Sequence, residues 1–160
     1  MRVISLNHAK QYQPAVADLL VQQWADIYRQ LGMSDADVHA MIESRCTDTV
    51  PFFLIALDEQ ERLLGCGAVK DSELFTDANL EPWLAAIVVT PEGRGRGVGS
   101  KIVRACEQRA AQHGIRTLYL STDQAEAFYQ KLGWERIDYR QSLGVEVALM
   151  KRELSSLVAQ

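Results

Sequence analysis

The feature that most constrains this chain is the passage from an apolar run through a glycine-rich segment into an amphipathic helix. The apolar run covers residues 84–89, and Gly95, Gly97 and Gly99 lead into a predicted helix over residues 98–113. Glycines permit backbone angles that other residues resist, and they remove side chains that would block a close approach. The first turn of a helix has unpaired N–H groups at the positive end of its dipole. Together these features predict a socket for phosphate oxygens.

Arg94 and Arg96 add positive charge beside the socket. The spacing of the glycines indicates which phosphate ligands the socket does not suit. A Walker A loop requires glycine, lysine and then serine or threonine, whereas Gly99 is followed by serine and then lysine, which disfavours ATP or GTP chemistry. The dinucleotide fingerprint spaces its last two glycines three apart, whereas Gly97 and Gly99 are two apart.

The hydrophobic periodicity predicts one α/β (α+β) domain over residues 1–160, with a mixed sheet flanked by helices. The predicted order is β-α-α-β-β-β-α-β-α-β-β, and it includes two antiparallel hairpins. The predicted strands cover residues 3–6, 52–57, 63–69, 84–89, 117–121, 134–139 and 145–150, and the helices cover residues 14–31, a segment opening at Ser34, 98–113 and 125–132.

Composition excludes several classes of function. The formal net charge of −4 argues against a nucleic-acid binder, which needs a surplus of basic residues, and leaves room for a cationic partner such as an amine. No apolar run approaches the ~18 residues that would indicate a membrane span, and no secretory signal is recognised. Cys46, Cys66 and Cys106 are widely spaced and form no C-x-x-C pair, so we expect free thiols in the reducing cytoplasm and no metal site.

Two segments resemble the signatures of the GNAT superfamily of acetyl-CoA-dependent N-acetyltransferases. The glycine-rich segment is similar to the motif R/Q-x-x-G-x-G/A, with Arg94, Gly97 and Gly99 in the defining places. Residues 125–134 are similar to the second signature, A-x-x-F-Y-x-K-x-G-F, with tryptophan in place of the final phenylalanine. The two motifs and the element order together cover residues 52–150.

The resemblance implies a mostly antiparallel sheet whose two middle strands, residues 84–89 and 117–121, splay apart and admit the pantetheine of acetyl-CoA. Backbone groups of the first strand would pair with the pantetheine amides, and the N–H groups of residues 94–100 would bind the diphosphate. The cofactor-binding residues implied are Ile87, Val88, Val89, Arg94, Gly95, Arg96, Gly97, Val98, Gly99, Ser100, Thr122, Phe128 and Tyr129.

The resemblance also implies a mechanism in which an amine attacks the thioester directly. The Ile87 N–H would stabilise the developing oxyanion, and Tyr129 would protonate the departing thiolate. Many family members have a glutamate base where this chain has Trp83; Glu81 and Glu73 are the nearest replacements, each readable as a surface carboxylate. A base acting through water, or an amine of low pKa that needs no base, is also compatible with the sequence. Trp83 would instead offer an apolar wall or a cation–π face to the acceptor.

Three residues near the second motif have more than one interpretation. Tyr129 is also readable as a core aromatic, and Thr122 stands where the family often has an asparagine. Asp123 is interpreted as a helix N-cap in preference to a contact for a cationic substrate.

The acceptor implied by the resemblance is a small-molecule amine or a protein or peptide amine, and it would enter beside the N-terminal helices. Acidic residues on that side favour a cation: Asp18, Asp26, Asp35, Asp37 and Glu43. A homodimer is compatible with the family.

The leading hypothesis is therefore an N-acetyltransferase that uses acetyl-CoA and a primary amine. The alternative from another class is a non-catalytic acyl-CoA-binding sensor or regulatory protein that keeps the socket without turnover. A nucleotide-binding module is the third interpretation.

Overall fold

The computed structural model describes residues 1–71 and 80–154. Its helices and strands follow the predicted order, with three short 3-10 turns added. In chain order they are β1 (Arg2–Ser5), α1 (Gln13–Gln30), α2 (Asp35–Ser44), β2 (Phe52–Leu57), β3 (Leu63–Lys70), β4 (Trp83–Val89), α3 (Val98–Gln112), β5 (Thr117–Thr122), α4 (Glu126–Lys131), β6 (Glu135–Ser142) and β7 (Val145–Glu153).

The strands form one seven-stranded sheet in the order β1-β2-β3-β4-β5-β7-β6. Every neighbouring pair is antiparallel except β4 and β5, which run parallel. The prediction of a mixed, mostly antiparallel sheet is confirmed, and so are the two predicted hairpins, β2–β3 and β6–β7.

Helices cover both faces of this sheet, and β2 shows why. All six of its residues are buried. Phe52 and Leu54 pack with α3 and α4 on one face, whereas Phe53 and Ile55 pack with α1 and α2 on the other. Because alternate side chains of a strand point to opposite faces, a continuous apolar run fits a strand covered on both sides. Each such side chain contributes about 1.5–3 kcal/mol on full burial.

The N-terminal helices begin and end at sequence signals. Ser34 and Asp37 form a reciprocal capping box at the start of α2, and the Ser34 backbone and side-chain hydrogen bonds lower the pKa of Asp37. Gly32, with φ +70°, follows the end of α1. One feature of α1 lacks a sequence signal: Trp24 takes non-helical angles (φ −128°, ψ 32°) and kinks the helix.

The parallel strands β4 and β5 meet only at their N-terminal ends. Among the described residues their ladder consists of the single pair Trp83–Tyr119, joined by the Tyr119 N–H donating to the Pro82 carbonyl at 3.1 Å. Beyond that pair each strand continues without the other. The prediction that the two middle strands splay apart is confirmed.

A bulge in β4 changes which side chains face the gap. Ala85 pairs with Ala68 and Val88 pairs with Cys66, so two residues of β4 lie opposite one residue of β3. Such a bulge shifts the alternation of side chains between the two faces. Leu84 and Ile87 consequently pack on the same face, that of α3 and α4.

Among the residues that the model describes, no helix combines the length and apolar character needed to cross a bilayer.

Candidate functional site

A cavity of about 350 Å³ opens where β4 and β5 separate, between the end of β4, the start of α3 and helix α4. Most of the residues predicted to bind the cofactor line it, and Gly93 and Ala125 line it as well without having been predicted. The lining residues are Ile87, Val89, Gly93, Arg94, Gly95, Gly97, Val98, Gly99, Ser100, Ala125, Phe128 and Tyr129.

The N-terminus of α3 forms one rim of this cavity. Gly97 is the N-cap residue, and no side chain of the described residues caps the helix. The Lys101 N–H donates to the Gly97 carbonyl at 3.1 Å. The N–H groups of Val98, Gly99 and Ser100, one turn earlier, therefore have no partner within the helix. These three donors and the positive end of the helix dipole make the rim an anion-binding surface.

The glycines of this segment are required for two different reasons. Gly95 and Gly97 have φ of +75° and +74°, and a Cβ at either position would meet nothing within 4 Å, so the requirement there is conformational. Gly99 is an ordinary helical residue whose Cβ would lie 3.5 Å from Phe128 Cζ and 3.5 Å from Val89 Cγ2. A methyl group at position 99 would thus lie among residues that line the cavity, at ordinary contact distance from the protein around it.

Tyr129 lies on α4, and its ring reaches the inner part of the cavity. The ring packs edge-on against Phe128 at 4.9 Å and against Trp134 at 6.1 Å, and the residue is 8% exposed. Burial raises the pKa of Tyr129, with a smaller contribution from Cys106, so the phenol is protonated at neutral pH. Among the described residues the hydroxyl has no hydrogen-bond partner.

A buried carboxylate contacts Trp134, whose ring packs against Tyr129. Glu107 of α3 is fully buried and accepts a hydrogen bond from the Trp134 indole N–H at 3.1 Å. Arg104 Nη1 donates a hydrogen bond to the same carboxylate at 3.0 Å, and Arg152 Nε forms an ion pair with it at 3.3 Å. Gly133, the glycine of the second motif, has φ +95°, a conformation that disfavours other residues, and a Cβ there would also overlap the guanidinium of Arg152. This cluster had no sequence signal, because a lone glutamate in an amphipathic helix is normally exposed.

Three residues predicted to bind the cofactor do not line the cavity. Val88 is buried in the core on the opposite face of the sheet, because the bulge directs Ile87 and not Val88 toward α3. Arg96 is exposed to solvent. The Thr122 hydroxyl oxygen accepts a hydrogen bond from the Ala125 N–H at 3.0 Å.

The prediction that Asp123 is the N-cap of α4 is wrong. The N-cap residue of α4 is Ala125, and the hydroxyl that accepts its N–H belongs to Thr122.

Of the residues considered as the base or in its place, those that the structure describes do not line the cavity. Glu81 is exposed and lies outside the lining, and Glu73 falls outside the described residues. Trp83 is 1% exposed, with its indole N–H donating to the Leu80 carbonyl at 2.7 Å and its ring 5.7 Å from Tyr119. Because the ring is buried, neither of its faces is open to an acceptor.

A second cavity, of about 210 Å³, lies beside the N-terminal helices and is lined by Val21, Ala25, Tyr28, Arg29, Met33 and Asp35. Burial raises the pKa of Tyr28. Two of the acidic residues predicted to favour a cation have partners already: Asp26 pairs with Arg29 at 2.9 Å, and Asp37 belongs to the capping box of α2. Asp35 is the acidic residue that lines this cavity.

The three cysteines are free and buried, as predicted. Within residues 1–71 and 80–154 no cluster of histidine, cysteine and carboxylate side chains has the grouping of a metal site.

Residues 14–134 match the model of the acetyltransferase (GNAT) family. Solved structures share the fold: an aminoglycoside 6'-N-acetyltransferase complexed with coenzyme A is 17% identical with a TM-score of 0.75, covering 96% of this chain and 97% of its own. A putative acetyltransferase from Salmonella typhimurium with its cofactor acetyl-CoA is 15% identical with a TM-score of 0.72, covering 97% and 94%. A ribosomal-protein-alanine N-acetyltransferase from Brucella melitensis is 16% identical with a TM-score of 0.71, covering 96% and 99%. No curated protein matches the chain significantly.

Proposed function

The chain belongs to the acetyltransferase (GNAT) family, and we propose that it transfers an acetyl group from acetyl-CoA to the nitrogen of a primary amine. The observation that carries this proposal is one cavity that combines three N–H groups of α3 without a partner in the helix, the edge of β4 at Ile87, and the buried phenol of Tyr129. Groups suited to bind an anion, to bind a thioester and to donate a proton therefore line the same cavity.

The residues at the rim fit the diphosphate of CoA. Two negatively charged phosphate groups match the N–H donors of Val98, Gly99 and Ser100, with Arg94 beside them. The absence of a side chain at Gly99 leaves room for the ligand between α3 and Phe128. Relatives of this fold are named as complexes with coenzyme A and acetyl-CoA, which supports the same ligand here.

The proposed reaction is a direct attack. The lone pair of a neutral amine forms a C–N bond with the thioester carbon, and the C–S bond breaks with its electron pair remaining on sulfur. The nitrogen loses one proton and the thiolate gains one, so the products are an amide and the thiol of CoA. Tyr129 supplies the proton to sulfur and is reprotonated by the proton that the nitrogen releases to solvent.

Ile87 is the proposed oxyanion donor. A backbone N–H directed at the thioester oxygen stabilises the negative charge that develops there, and one such donor is worth about 2.7–4 kcal/mol of the barrier. Its rigid attachment to the sheet means that little reorganisation is needed during the reaction.

The environment of Tyr129 supports a role as the general acid. Its raised pKa keeps the proton on the phenol until the thiolate forms. A free thiol has a pKa of about 8.5 and an ordinary phenol about 10, so proton transfer to the thiolate is uphill. Burial raises the pKa of the Tyr129 phenol and makes this proton transfer still less favourable. We therefore expect the proton to move as the C–S bond breaks.

No base is assigned within the cavity. The exposed Glu81 was the candidate in the sequence, and its position outside the lining argues that the amine loses its proton to water. Aliphatic amines have pKa values of about 10 and are mostly charged at neutral pH. The rate should consequently rise with pH until the amine is neutral.

The proposed acceptor is a small-molecule amine. Neighbours of the same fold are named as aminoglycoside N-acetyltransferases, and Asp35 adds an acidic group to a cavity beside the N-terminal helices. An assay for thiol released from acetyl-CoA, run over aminoglycosides, simple diamines and peptides, tests this function. Thiol release with at least one amine supports the enzyme. Acetyl-CoA binding with no release indicates the sensor, and stronger thermal protection by ATP or NAD than by acetyl-CoA indicates a nucleotide-binding module.

A further inference from the structure

The bulge in β4 has an unusual conformation at its first residue. Ala86 has φ +57°, in the left-handed region that an alanine adopts only at a cost of about 1–2 kcal/mol. Ala86 and Ile87 together lie opposite Gly67 of β3. A conformation that is unfavourable for the residue itself must be held by contacts around it.

The neighbouring segment of β3, Gly65-Cys66-Gly67, is shaped to this bulge. A Cβ at Gly65 would lie 2.7 Å from the Val88 carbonyl oxygen, so Gly65 leaves room for the backbone of β4. A Cβ at Gly67 would lie 2.6 Å from Cγ2 of Ile102 and 2.7 Å from Cδ1 of Ile87, so Gly67 leaves room for these two side chains. Between them, the Cys66 thiol lies 3.3 Å from the carbonyl oxygen of Ala86 and donates a hydrogen bond to it.

Cys66 acts as a donor under all ordinary conditions. Burial raises the pKa of its thiol to about 12, against the opposing effect of the Val88 N–H that faces the sulfur. The sulfur thus remains protonated, and its proton is available to the Ala86 carbonyl.

The geometry of the peptide unit links these contacts to Ile87. A trans peptide is planar, and its C=O and N–H bonds point in opposite directions. Because the Ala86 carbonyl points toward the Cys66 thiol, the Ile87 N–H of the same planar unit points away from that thiol. On that side of β4 lies the gap to β5, and Ile87 lines the cavity there.

From this geometry we infer that Cys66 is a positioning residue for acetyl transfer: its thiol orients the Ala86–Ile87 peptide so that the Ile87 N–H faces the thioester oxygen. The inference rests on the proposed function, because it assigns Cys66 a role through the oxyanion donor named there. Cys66 itself touches no reacting atom.

The test compares Cys66→Ala, which removes the donor, with Cys66→Ser, which restores one. Cys46→Ala is the matched control, because Cys46 is a buried cysteine of the same core cluster away from β4. Calorimetric Kd for acetyl-CoA, kcat and thermal unfolding are measured for all of them. We expect Cys66→Ala to lower kcat by about 10- to 100-fold, less than the loss of a complete oxyanion donor. Its Kd should stay within about threefold of wild type, and its thermal midpoint should fall no further than that of Cys46→Ala.

Recovery of most of the kcat in Cys66→Ser supports the inference. Wild-type kcat in Cys66→Ala, or an equal loss in the Ala and Ser variants, overturns it while the proposed function stands. Absence of transfer by the wild type over the whole amine panel overturns both. Should Cys66→Ala fail to fold, Cys66→Val, which has bulk but no donor, replaces it in the same comparison.

Discussion

Trp83 and Tyr119 form the only ladder pair between β4 and β5 within the described residues, with their rings 5.7 Å apart. This contact joins the two strands at one end and leaves them separate at the other. The cavity that holds Ile87 and Tyr129 lies where they are separate. The candidate site thus lies where two central strands, among the described residues, lack hydrogen-bonded pairing with each other, and backbone groups that lack such pairing suit the ligand proposed above.

Replacing Tyr129 with phenylalanine tests the general acid. We expect kcat to fall by about 10²-fold or more, because the proton donor is lost, while Kd for acetyl-CoA changes little. Steady-state kinetics and calorimetry measure the two quantities. Tyr139→Phe is the control, because Tyr139 is an exposed tyrosine outside the cavity. Equal turnover in wild type and Tyr129→Phe would remove Tyr129 from the mechanism.

Gly99→Ala separates binding from folding. Alanine is favoured over glycine in a helix by about 0.5–1 kcal/mol, so the free energy of unfolding should stay constant or rise. The new methyl group enters the cavity beside Phe128, and we expect acetyl-CoA to bind about tenfold more weakly, a loss of about 1.4 kcal/mol.

Gly114→Ala is the control, because it should lower stability and leave the affinity for acetyl-CoA unchanged. Gly114 has φ +80° beyond the end of α3 and is outside the cavity. The free energy of unfolding should fall by about 1 kcal/mol with no change in affinity. A stable Gly99→Ala protein with wild-type affinity would contradict the position given to the ligand.

Glycine substitutions at two adjacent alanines test the bulge. Ala86→Gly removes the penalty of a left-handed alanine, so stability should stay constant or rise by about 1 kcal/mol, with kcat retained. Ala85→Gly, one residue earlier in the regular part of β4, should destabilise the protein by about 0.5–1 kcal/mol. Denaturation by urea measures both. Equal destabilisation by the two substitutions would show that Ala86 is not left-handed in solution.

Removing Glu107 tests the buried cluster behind Tyr129. Glu107→Ala leaves the Trp134 indole N–H without its buried acceptor and the Arg152 guanidinium without its ion-pair partner. We expect the free energy of unfolding to fall by about 3 kcal/mol. Glu107→Gln should lose less, because its amide oxygen still accepts from Trp134. A loss below about 1 kcal/mol in Glu107→Ala, the range of surface ion pairs, would mean that the carboxylate is hydrated.

The carboxyl group of Asp58 makes the free energy of unfolding depend on pH in the acidic range. Backbone hydrogen bonds from Arg62, together with its side chain and the Gln60 N–H, lower the pKa of this carboxyl group in the folded protein. A lowered folded pKa contributes stability above the unfolded value of about 3.9, and that stability is lost as the pH falls through the folded pKa. Asp58→Asn should therefore flatten the acid limb of the unfolding curve. The exposed Glu59→Gln should leave that limb unchanged, and an unaltered limb in Asp58→Asn would contradict the prediction.

The sequence predicted the elements whose signals are local. Gly97 opens α3 and Gly114 follows it, both with positive φ, and the two hairpins follow from neighbouring strand-forming runs joined by short turns. Most of the cavity lining was predicted as well, because the glycine-rich segment and residues 125–134 carry recognisable motifs. In these places the residue type alone limits the backbone conformation.

The parts that could not be predicted depend on distant partners. Ala86 has a side chain that normally avoids positive φ, and its bulge exists because Gly67 and Cys66 lie opposite it. Glu107 is buried because Arg152 of β7 and Trp134 reach it across the sheet. Such features arise from tertiary packing, which periodicity along the chain does not record.

A crystal structure of the chain with bound CoA would locate the cofactor relative to α3 and the gap between β4 and β5. We expect diphosphate oxygens within hydrogen-bond distance of the main-chain N–H groups of residues 98–100. We also expect the CoA sulfur between the two strands, near the Ile87 nitrogen and the Tyr129 hydroxyl. A CoA molecule bound elsewhere, or a cavity that stays empty at millimolar CoA while the protein is folded, would contradict the proposed site.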